Sequence, residues 1–271
     1  MIPVVLIHSG FQEYVSYAVQ QAAKKNNVYL LGDIKPELKL DNFEFVHTDG
    51  LKDGTKEFGL NYVHMNTTPF EFELFCFYRW FILRNFMKEK NIDVVFYIDS
   101  DVLLFSDVSN EWSKYSQYDM TLLHRTAAVS SYVTYRGICN FCDMIQKIYS
   151  NKQDYPFRKI SSHFATRQEC GLNGGVCDMT LLEWFHYDHD SGGGPGRVGE
   201  MMQILEDSTY DHNILARDQD FSFENGMKSI KIIDKMPYVF NEKLKKYIKF
   251  NSIHFNSGAK VFMKRIYDLC K

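Results

Sequence analysis

Several features that define large classes of protein are missing from this 271-residue sequence. No apolar run approaches the roughly 18 residues that a membrane-spanning helix needs, so we predict no transmembrane anchor. The formal net charge of −3 gives no general electrostatic case for binding nucleic acid. The six cysteines have no regular framework, and we expect reduced thiols. Residues 1–7 are too short for a signal peptide and lack its basic start. We therefore expect a soluble, cytoplasmic protein whose first strand begins there.

Two common nucleotide-binding patterns are also missing. The first predicted strand is followed by the tight turn His8-Ser9-Gly10, but no G-x-G-x-x-G is present, which disfavours a dinucleotide-binding dehydrogenase. The stretch 190–199 holds five glycines, yet no strand precedes it and no Lys-Ser/Thr follows it, as a phosphate-cradling loop requires. We interpret this stretch as either a mobile active-site loop or a disordered connection.

The sequence does contain the alternation of strands and helices that is typical of an α/β protein. The order strand, glycine-containing turn, helix, strand at the start is a βαβ unit, which predicts a mostly parallel sheet. We predict strands over residues 4–7, 28–31, 43–46, 94–98, 119–124, 230–233 and 238–240, with a further short strand within 172–180. We predict helices over residues 11–26, 69–90, 132–149, 181–187 and 201–206, and loops over 48–61 and 150–170.

The most informative stretch is the uncharged apolar run Val94–Ile98, followed by Asp99 and Asp101. The run predicts a strand of a parallel sheet that is buried on both faces. Ligands bind at the carboxyl ends of such strands. Two like charges buried together need a cation, and a divalent ion bound to a phosphorylated substrate would supply it. The alternative is a simple turn after a strand.

The long helix predicted after Thr68-Pro69 contains Arg79 and Arg84 within an apolar surface. Thr68 as N-cap and Glu71 three residues later suggest a capping box. A buried arginine needs an anionic partner. Arg79 therefore forms either a structural ion pair or a contact with the phosphate or sugar of a bound nucleotide sugar.

Three later segments carry further candidates. The pair Gly174-Gly175 allows the backbone to approach a ligand closely. The segment 218–220, Asp-Gln-Asp, is predicted to begin a helix. The alternative to a functional role for Asp218 is that it only caps the N-terminus of that helix. His254, followed six positions later by Lys260, would complete a metal–phosphate site, although a lone histidine is more often structural.

In this order, the segments resemble the retaining, family-8-like glycosyltransferases with a GT-A fold, over about residues 1–262. Asp99-Ser100-Asp101 resembles the family's DxD motif, and Arg79 its donor-binding arginine. Residues 173–176 resemble its Asn-Ala/Ser-Gly-Val strand, and 218–220 its DQD motif. His254 and Lys260 match the ends of its His-x-x-Gly-x-x-Lys segment, although Gly258 comes one place late. The short form is similar to stand-alone bacterial or large-DNA-virus transferases.

The resemblance implies a single GT-A domain over residues 1–271, with a Rossmann-like, mostly parallel central sheet flanked by helices and a smaller acceptor-side subregion. Residues 1–125 would form the nucleotide-sugar-binding half, and residues 126–271 the half that binds the acceptor and completes the metal site. The implied reaction moves a sugar from a UDP- or GDP-sugar donor to a glycan, glycoprotein or glycolipid acceptor, with retention of the anomeric configuration.

The implied cofactor is Mn²⁺ or Mg²⁺, held by Asp99, Asp101 and His254. The implied donor-binding residues are His8, Ser9, Tyr14, Arg79, Ser100, Asn173, Gly174, Gly175 and Lys260. The implied catalytic residues are Asp218, Gln219 and Asp220. Because glutamine is a poor nucleophile, we favour front-side attack on an oxocarbenium-like ion, with the donor phosphate accepting the proton of the acceptor.

Two alternatives have other consequences. In a phosphohydrolase of the haloacid-dehalogenase type, Asp99 would be a phosphoryl-accepting nucleophile. In a non-catalytic scaffold, the same fold would only bind a nucleotide sugar. Hydrolysis of p-nitrophenyl phosphate that is lost in Asp99→Asn would favour the phosphohydrolase, whereas metal-dependent hydrolysis of a nucleotide sugar would separate a transferase from a scaffold.

Overall fold

The first three predicted strands lie side by side and parallel at one edge of a large sheet, in a computed structural model that describes residues 1–271. The fold contains β1 (Val4–His8), β2 (Val28–Gly32), β3 (Phe43–His47), β4 (Val94–Ile98), β5 (Val102–Leu104), β6 (Met120–Leu122), β7 (Ser130–Thr134), β8 (Val198–Glu200), β9 (Ser208–Tyr210), β10 (Phe223–Glu224), β11 (Met227–Lys228), β12 (Ile230–Ile233), β13 (Met236–Asn241) and β14 (Lys246–His254).

The helices are α1 (Glu13–Ala23), α2 (Thr55–Asn61), α3 (Phe70–Glu89), α4 (Val108–Glu111), α5 (Tyr135–Ser150), α6 (Tyr155–Glu169), α7 (Asp178–Tyr187) and α8 (Lys260–Leu269). Short 3-10 helices lie at Thr48–Leu51, Trp112–Lys114, His189–Ser191 and Ser257–Ala259. No helix combines the length and the apolar character that crossing a membrane requires. All six cysteines have free thiols.

The main sheet has seven strands in the order β3-β2-β1-β4-β7-β6-β8. Every neighbouring pair is parallel except the two pairs that include β7. The predicted architecture, a mostly parallel sheet flanked by helices, is therefore confirmed.

Both faces of this sheet are covered, which explains the uncharged runs in its central strands. Alternate side chains of β1 enter two different cores: Val4 and Leu6 pack with α1 and α8, whereas Val5 and Ile7 pack with α3, α5 and α7. In β4, Phe96 and Tyr97 likewise point to opposite cores and are fully buried. The prediction that 94–98 is a doubly buried strand is confirmed.

A second sheet brings the C-terminal part of the chain to the end of β4. Its strands run in the order β12-β13-β14-β5, and β9 also pairs with β14. In the antiparallel pairing of β14 with β5, His254 is opposite Val102 and Ser252 is opposite Leu104. This register places the last residue of β14 beside the turn that follows β4.

Two predicted loops are wrong, because 55–61 and 155–169 are helical. The glycines of the first segment allow the helix to form: Gly54 precedes α2 with a φ of 77°, and Gly59 leaves room for the hydroxyl of Tyr78. In the second, Pro156 lies in the first turn, and Phe157 and Ile160 bury one face of α6.

Two predicted helices are also wrong. Residues 201–206 are irregular, with Met201 and Met202 buried in the core. Residues 218–220 form a turn in which Gln219 and Asp220 have φ values of 52° and 57°. Left-handed backbone cannot begin a right-handed helix, so the predicted helix and the N-cap alternative for Asp218 both fail.

Other boundaries differ for reasons of pairing and packing. The helix predicted from 132 begins at Tyr135, because 130–134 is paired antiparallel with β4. The capping box of Thr68 and Glu71 is absent: the Thr68 hydroxyl instead donates to Glu73 at 2.7 Å, and Pro69 precedes the helix. No strand forms within 172–180, where α7 begins at Asp178.

The glycine-rich stretch is a packed turn, so the expectation of a disordered connection is wrong, and a mobile active-site loop stays a prediction. It ends in β8, which pairs in parallel with β6. A Cβ atom on Gly193 would meet the Phe185 carbonyl oxygen at 2.1 Å, and Gly194 has a φ of 92°. Close approach to the backbone of Phe185 accounts for glycine at 193, and the left-handed backbone accounts for it at 194.

Candidate active site

A cavity of about 950 Å³ opens at the carboxyl ends of β1 and β4. Small-molecule sites usually measure about 300 to 1,000 Å³, and open α/β sheets bind ligands at this end. Eight of the residues proposed from the sequence line the cavity: His8, Ser9, Tyr14, Arg79, Asp99, Ser100, Asp101 and Lys260.

Two carboxylates at the cavity wall meet the imidazole of His254, which does not itself line the cavity. The potential ligand atoms of Asp99, Asp101 and His254 all lie within 4.8 Å of one another. The backbone N–H of Val102 donates to the Asp99 carbonyl at 3.1 Å, which closes the tight turn between β4 and β5. Both carboxylates therefore project from one turn, and the pairing of β14 with β5 adds the imidazole.

The His254 ring is oriented by a backbone carbonyl. Its Nδ1 donates to the carbonyl oxygen of His212 at 2.6 Å, which leaves Nε2 facing an Asp101 oxygen at 3.4 Å. Burial lowers the pKa of His254, but the hydrogen bond and charge of Asp101 outweigh burial and raise it overall. The Nε2 lone pair of the neutral ring points towards the carboxylates, as a metal ligand would.

Asp101 is stabilised in its ionised form. Lys260 Nζ lies 2.6 Å from the second Asp101 oxygen. Burial raises the pKa of Asp101, but the hydrogen bonds and charges of His254 and Lys260 lower it to about 2. Asp101 is thus a carboxylate at neutral pH, although only 13% of its side chain is exposed.

Asp99 is held by two donors from the opposite side. Its Oδ1 atom accepts from the Tyr97 hydroxyl at 2.7 Å and from Arg79 Nη1 at 2.8 Å. The alternative that Arg79 forms an ion pair within the protein is therefore present in the structure, at the wall of the cavity. Because both donors use the same oxygen, the other oxygen of Asp99 is left for a further ligand.

Sequence reasoning missed Asp178, the second anionic partner of Arg79. Its Oδ2 atom lies 2.5 Å from Arg79 Nη2 and accepts from Trp80 Nε1 at 2.9 Å. Only 4% of the Asp178 side chain is exposed. The signal available in the sequence was the buried arginine itself, which requires anions but does not indicate which ones.

The turn after β1 forms another part of the wall. Ser100 Oγ lies 2.9 Å from His8 Nδ1, and burial lowers the pKa of His8. The Tyr14 ring packs edge-on against His8, with Lys260 Nζ 5.6 Å from its centre. A second missed residue, Asp33, fixes the turn by accepting from Ser9 Oγ at 3.0 Å and from the Gly10 N–H at 2.7 Å.

The segment of Asn173, Gly174 and Gly175 does not line this cavity. The Gly174 N–H donates to Thr67 Oγ1 at 2.7 Å, and a Cβ on Gly175 would meet the Met65 carbonyl oxygen at 2.1 Å. Gly175 therefore packs against the backbone of residues 65 and 66, a few residues before α7 begins at Asp178.

The segment of Asp218, Gln219 and Asp220 lies next to the carboxylate site but outside the cavity lining. Asp218 Oδ1 is 2.7 Å from the buried Lys228 Nζ, the Gln219 side-chain amide donates to the Met202 carbonyl, and Asp220 is exposed. Asp218 clusters with His212, whose carbonyl orients His254.

Comparison with known proteins finds likeness only among solved structures. No protein-family model matches the sequence, and no curated protein matches it. The glycosyltransferase GlyE of Streptococcus pneumoniae TIGR4 is 16% identical, with a TM-score of 0.41. The match covers 76% of this chain, which spans only 45% of GlyE.

Two other solved structures match over almost their whole length. A glycosyltransferase involved in glycosylation of the major capsid of PBCV-1 is 9% identical, with a TM-score of 0.44 and coverage of 97% of this chain and 98% of its own. An active-site mutant of LgtC is 10% identical, with a TM-score of 0.46 and coverage of 99% and 95%. Since all three TM-scores are below 0.5, the functional argument depends on the site geometry of this chain.

Proposed function

We propose that the chain is a metal-dependent glycosyltransferase that moves a sugar from a UDP- or GDP-sugar to a glycan, glycoprotein or glycolipid acceptor, with retention of configuration. One observation carries the proposal: Asp99 and Asp101 line a donor-sized cavity together with Lys260 and Arg79, and a ligand atom of His254 lies within 4.8 Å of theirs. Carboxylates that gather beside cations at the end of a parallel sheet suit a metal-bound diphosphate better than a neutral ligand.

The chemistry of this donor set fits Mn²⁺ or Mg²⁺. Two carboxylates and one imidazole are hard or borderline ligands, and one ligand atom from each of the three lies within 4.8 Å of the others. Asp99, Asp101 and His254 would hold the ion. When bound, it would supply positive charge that stabilises the diphosphate leaving group.

The cationic side chains would assist departure of the same leaving group. Lys260 now neutralises Asp101, and a bound dication would take over that role and leave the ammonium for a phosphate oxygen. Arg79 would keep Asp99 in its orientation through their 2.8 Å hydrogen bond. Positively charged groups that are already in place need little reorganisation as the glycosidic bond breaks.

The remaining residues would recognise the donor. His8, Ser9, Tyr14 and Ser100 lie together at the turn after β1 and would contact the nucleoside, with the Tyr14 ring as a stacking surface. We propose the turn of Asn173, Gly174 and Gly175 as a further donor contact, although its backbone now packs against Met65.

Sugar recognition and transfer would depend on the neighbouring turn. Asp218 would bind sugar hydroxyls, with Gln219 beside the anomeric carbon and Asp220 at the edge. In front-side attack, the acceptor hydroxyl gives its proton to the donor phosphate as its oxygen forms the new bond to the anomeric carbon. No covalent sugar–enzyme intermediate is then needed.

The phosphohydrolase alternative has weaker support. A nucleophilic aspartate needs an accessible oxygen that is not already engaged in hydrogen bonds. Asp99 Oδ1 instead accepts hydrogen bonds from Tyr97 and Arg79. One Asp99 oxygen also lies within 4.8 Å of ligand atoms of Asp101 and His254, an arrangement suited to a cation. The scaffold alternative predicts donor binding without release of nucleotide, so an assay of turnover separates it from a transferase.

The test is a thermal-shift screen of UDP- and GDP-sugars with the whole chain, with and without Mn²⁺, followed by assay of nucleotide release. A ligand that binds only the folded state raises the melting temperature. We expect stabilisation by one nucleotide class only when Mn²⁺ is present, and none in Asp101→Asn. The exposed Asp234→Asn is the matched control. Metal-independent stabilisation would reject the proposal, and tight binding without any release would favour the scaffold.

A further inference from the structure

A second group of potential metal ligands lies immediately beyond the carboxylate site. One ligand atom each from His124, His212 and Asp218 fall within 4.8 Å of one another. We propose that these three residues bind a transition-metal dication of the zinc class, at a site separate from that of Asp99 and Asp101.

Two segments of the fold build this group: the turn after β6 and the connection between β9 and β10. His124 follows β6 in a left-handed turn, with a φ of 54°, and His212 follows β9. Their ring centres are 4.8 Å apart at an interplanar angle of 62°. Asp218 lies in the turn that precedes β10. His212 and Asp218 therefore lie in the same connection, residues 211–222, and the cluster joins this connection to the turn after β6.

Two of the three side chains have buried polar atoms without a hydrogen-bond partner. Nδ1 of His212 and Oδ2 of Asp218 are both inaccessible to water and unpaired. The other oxygen of Asp218 meets no donor at hydrogen-bonding angles but is 2.7 Å from Lys228 Nζ, so we treat it as ion-paired. A buried polar atom without a partner costs folding free energy. A metal ion bound by both the His212 imidazole and the Asp218 carboxylate would give each of these atoms a partner.

The surrounding charge favours a cation. Lys228 Nζ is shared between Asp218 and the buried Asp211, which lies 2.6 Å away. Two carboxylates against one ammonium leave one negative charge beside the two imidazoles. The lysine is only 2% exposed, so solvent screens this charge poorly.

Ligand type distinguishes the two sites. Two imidazoles and one carboxylate suit Zn²⁺, Co²⁺ or Ni²⁺, whereas two carboxylates and one imidazole beside a diphosphate suit Mn²⁺ or Mg²⁺. His124 is exposed and the other two side chains are partly exposed, so an ion can enter from solvent.

Occupancy would affect the neighbouring site. His212 orients His254 through its carbonyl, and Asp218 is the residue proposed to bind sugar hydroxyls. Bound Zn²⁺ would engage Asp218 and compete with the sugar of the donor. This regulatory consequence rests on the proposed function, whereas zinc binding itself does not.

The experiment is calorimetric titration of Zn²⁺ into the full chain, with Mg²⁺ in excess to fill the carboxylate site. We expect one Zn²⁺ per chain, and affinity weakened by about 100-fold or more in His124→Asn. Asparagine tolerates the left-handed backbone there, so that variant should fold. Affinity should be unchanged in Asp101→Asn and in His163→Asn, which removes an exposed helical histidine.

A second measurement on the unaltered protein does not depend on variants. On addition of Zn²⁺, the imidazole ¹⁵N resonances of His124 and His212 should shift together. Absence of binding, binding unaffected by His124→Asn, or shifts confined to His254 would overturn the proposal. These outcomes leave Mn²⁺-dependent donor binding untouched, so the failure of this site and of the proposed function can be told apart.

Discussion

The Nε2 atom of His254 lies 3.4 Å from an oxygen of Asp101, although the turn that holds Asp101 and the strand that ends at His254 are far apart in the sequence. The contact arises because β14 pairs antiparallel with β5, with His254 opposite Val102. The Phe255 N–H also donates to the Asp101 carbonyl at 2.9 Å. Backbone pairing, rather than side-chain flexibility, therefore brings the imidazole to the carboxylates.

Asp178→Asn should destabilise the protein, because Arg79 would lose one of its two buried anionic partners. Breaking a buried ion pair on one side typically costs about 3 to 5 kcal/mol. Arg79 is 16% exposed and Asp178 4%, so solvent can compensate little of the loss. We expect a fall of about 3 kcal/mol in the free energy of unfolding, measured by denaturant titration.

The control for that variant is Glu183→Gln on the same helix. Glu183 is exposed and makes no ion pair within the chain, so its loss of charge should change stability by no more than about 0.5 kcal/mol. Equal stability of Asp178→Asn and the unaltered protein would show that Asp178 does not hold Arg79 in place.

Gly175→Ala should destabilise the protein because the added methyl group has no room. Its Cβ would meet the Met65 carbonyl oxygen at 2.1 Å and the Asn66 Cα at 2.8 Å. Overpacking of this kind costs about 1 to 3 kcal/mol. Gly196→Ala, with nothing within 4 Å of its Cβ, should change the unfolding free energy little. If Gly175→Ala instead keeps full stability and loses only donor binding, the glycine serves the ligand and not the packing.

Glu73→Gln should stabilise the protein at neutral pH. Burial raises the pKa of Glu73 above its usual 4.5, and one of its oxygens is buried without a partner. The unfolded chain therefore ionises first as pH rises. Stability should fall from about pH 4.5 up to the raised pKa, and stay lower above it.

The glutamine variant should lack this fall, so its melting temperature should match that of the unaltered protein near pH 4 and exceed it at pH 7. Glu89→Gln, which changes an exposed residue at the end of the same helix, serves as control and should follow the unaltered protein. Parallel curves for Glu73→Gln and Glu89→Gln across this range would show that Glu73 carries no buried charge.

The stereochemistry of the reaction tests the proposed front-side mechanism. With an α-linked nucleotide sugar, we expect the first product to be the α-anomer, identified by the ¹H NMR coupling constant of its anomeric proton. When water is the acceptor, spectra must be taken before the free sugar equilibrates. An initial β-product would indicate inversion, and a trapped covalent sugar on Asp218 or Gln219 would indicate double displacement.

The parts of the fold that depend on local pattern could be predicted from the sequence. An uncharged run such as 94–98 is stable in an α/β domain as a strand of a sheet whose two faces are both covered by other elements. This placement puts Asp99 and Asp101 at the carboxyl end of the strand. The spacing of His254 and Lys260 indicated a metal–phosphate site, but only the family resemblance assigned them to Asp99 and Asp101, because nothing local to residue 254 indicates that β14 would pair with β5.

The errors arise where tertiary packing overrides local signals. Three glycines made 48–61 look like a loop, yet Phe58 packs its ring against Phe77, Phe81 and Tyr149 and supports a helix there. Asp178 was missed because the partner of a buried arginine is chosen by three-dimensional proximity, and α7 meets α3 only in the folded protein.

The central claim is that Asp99, Asp101 and His254 hold one cation that binds a nucleoside diphosphate. Its most direct test is a titration of Mn²⁺ into the protein in the presence of UDP or GDP. Binding is monitored as the loss of the six-line EPR signal of free Mn²⁺. The account predicts one bound Mn²⁺ per chain, bound more tightly with the nucleotide, and affinity weaker by about 100-fold or more in Asp101→Asn and His254→Ala. Mn²⁺ and nucleotide binding that is unchanged in both variants would contradict it.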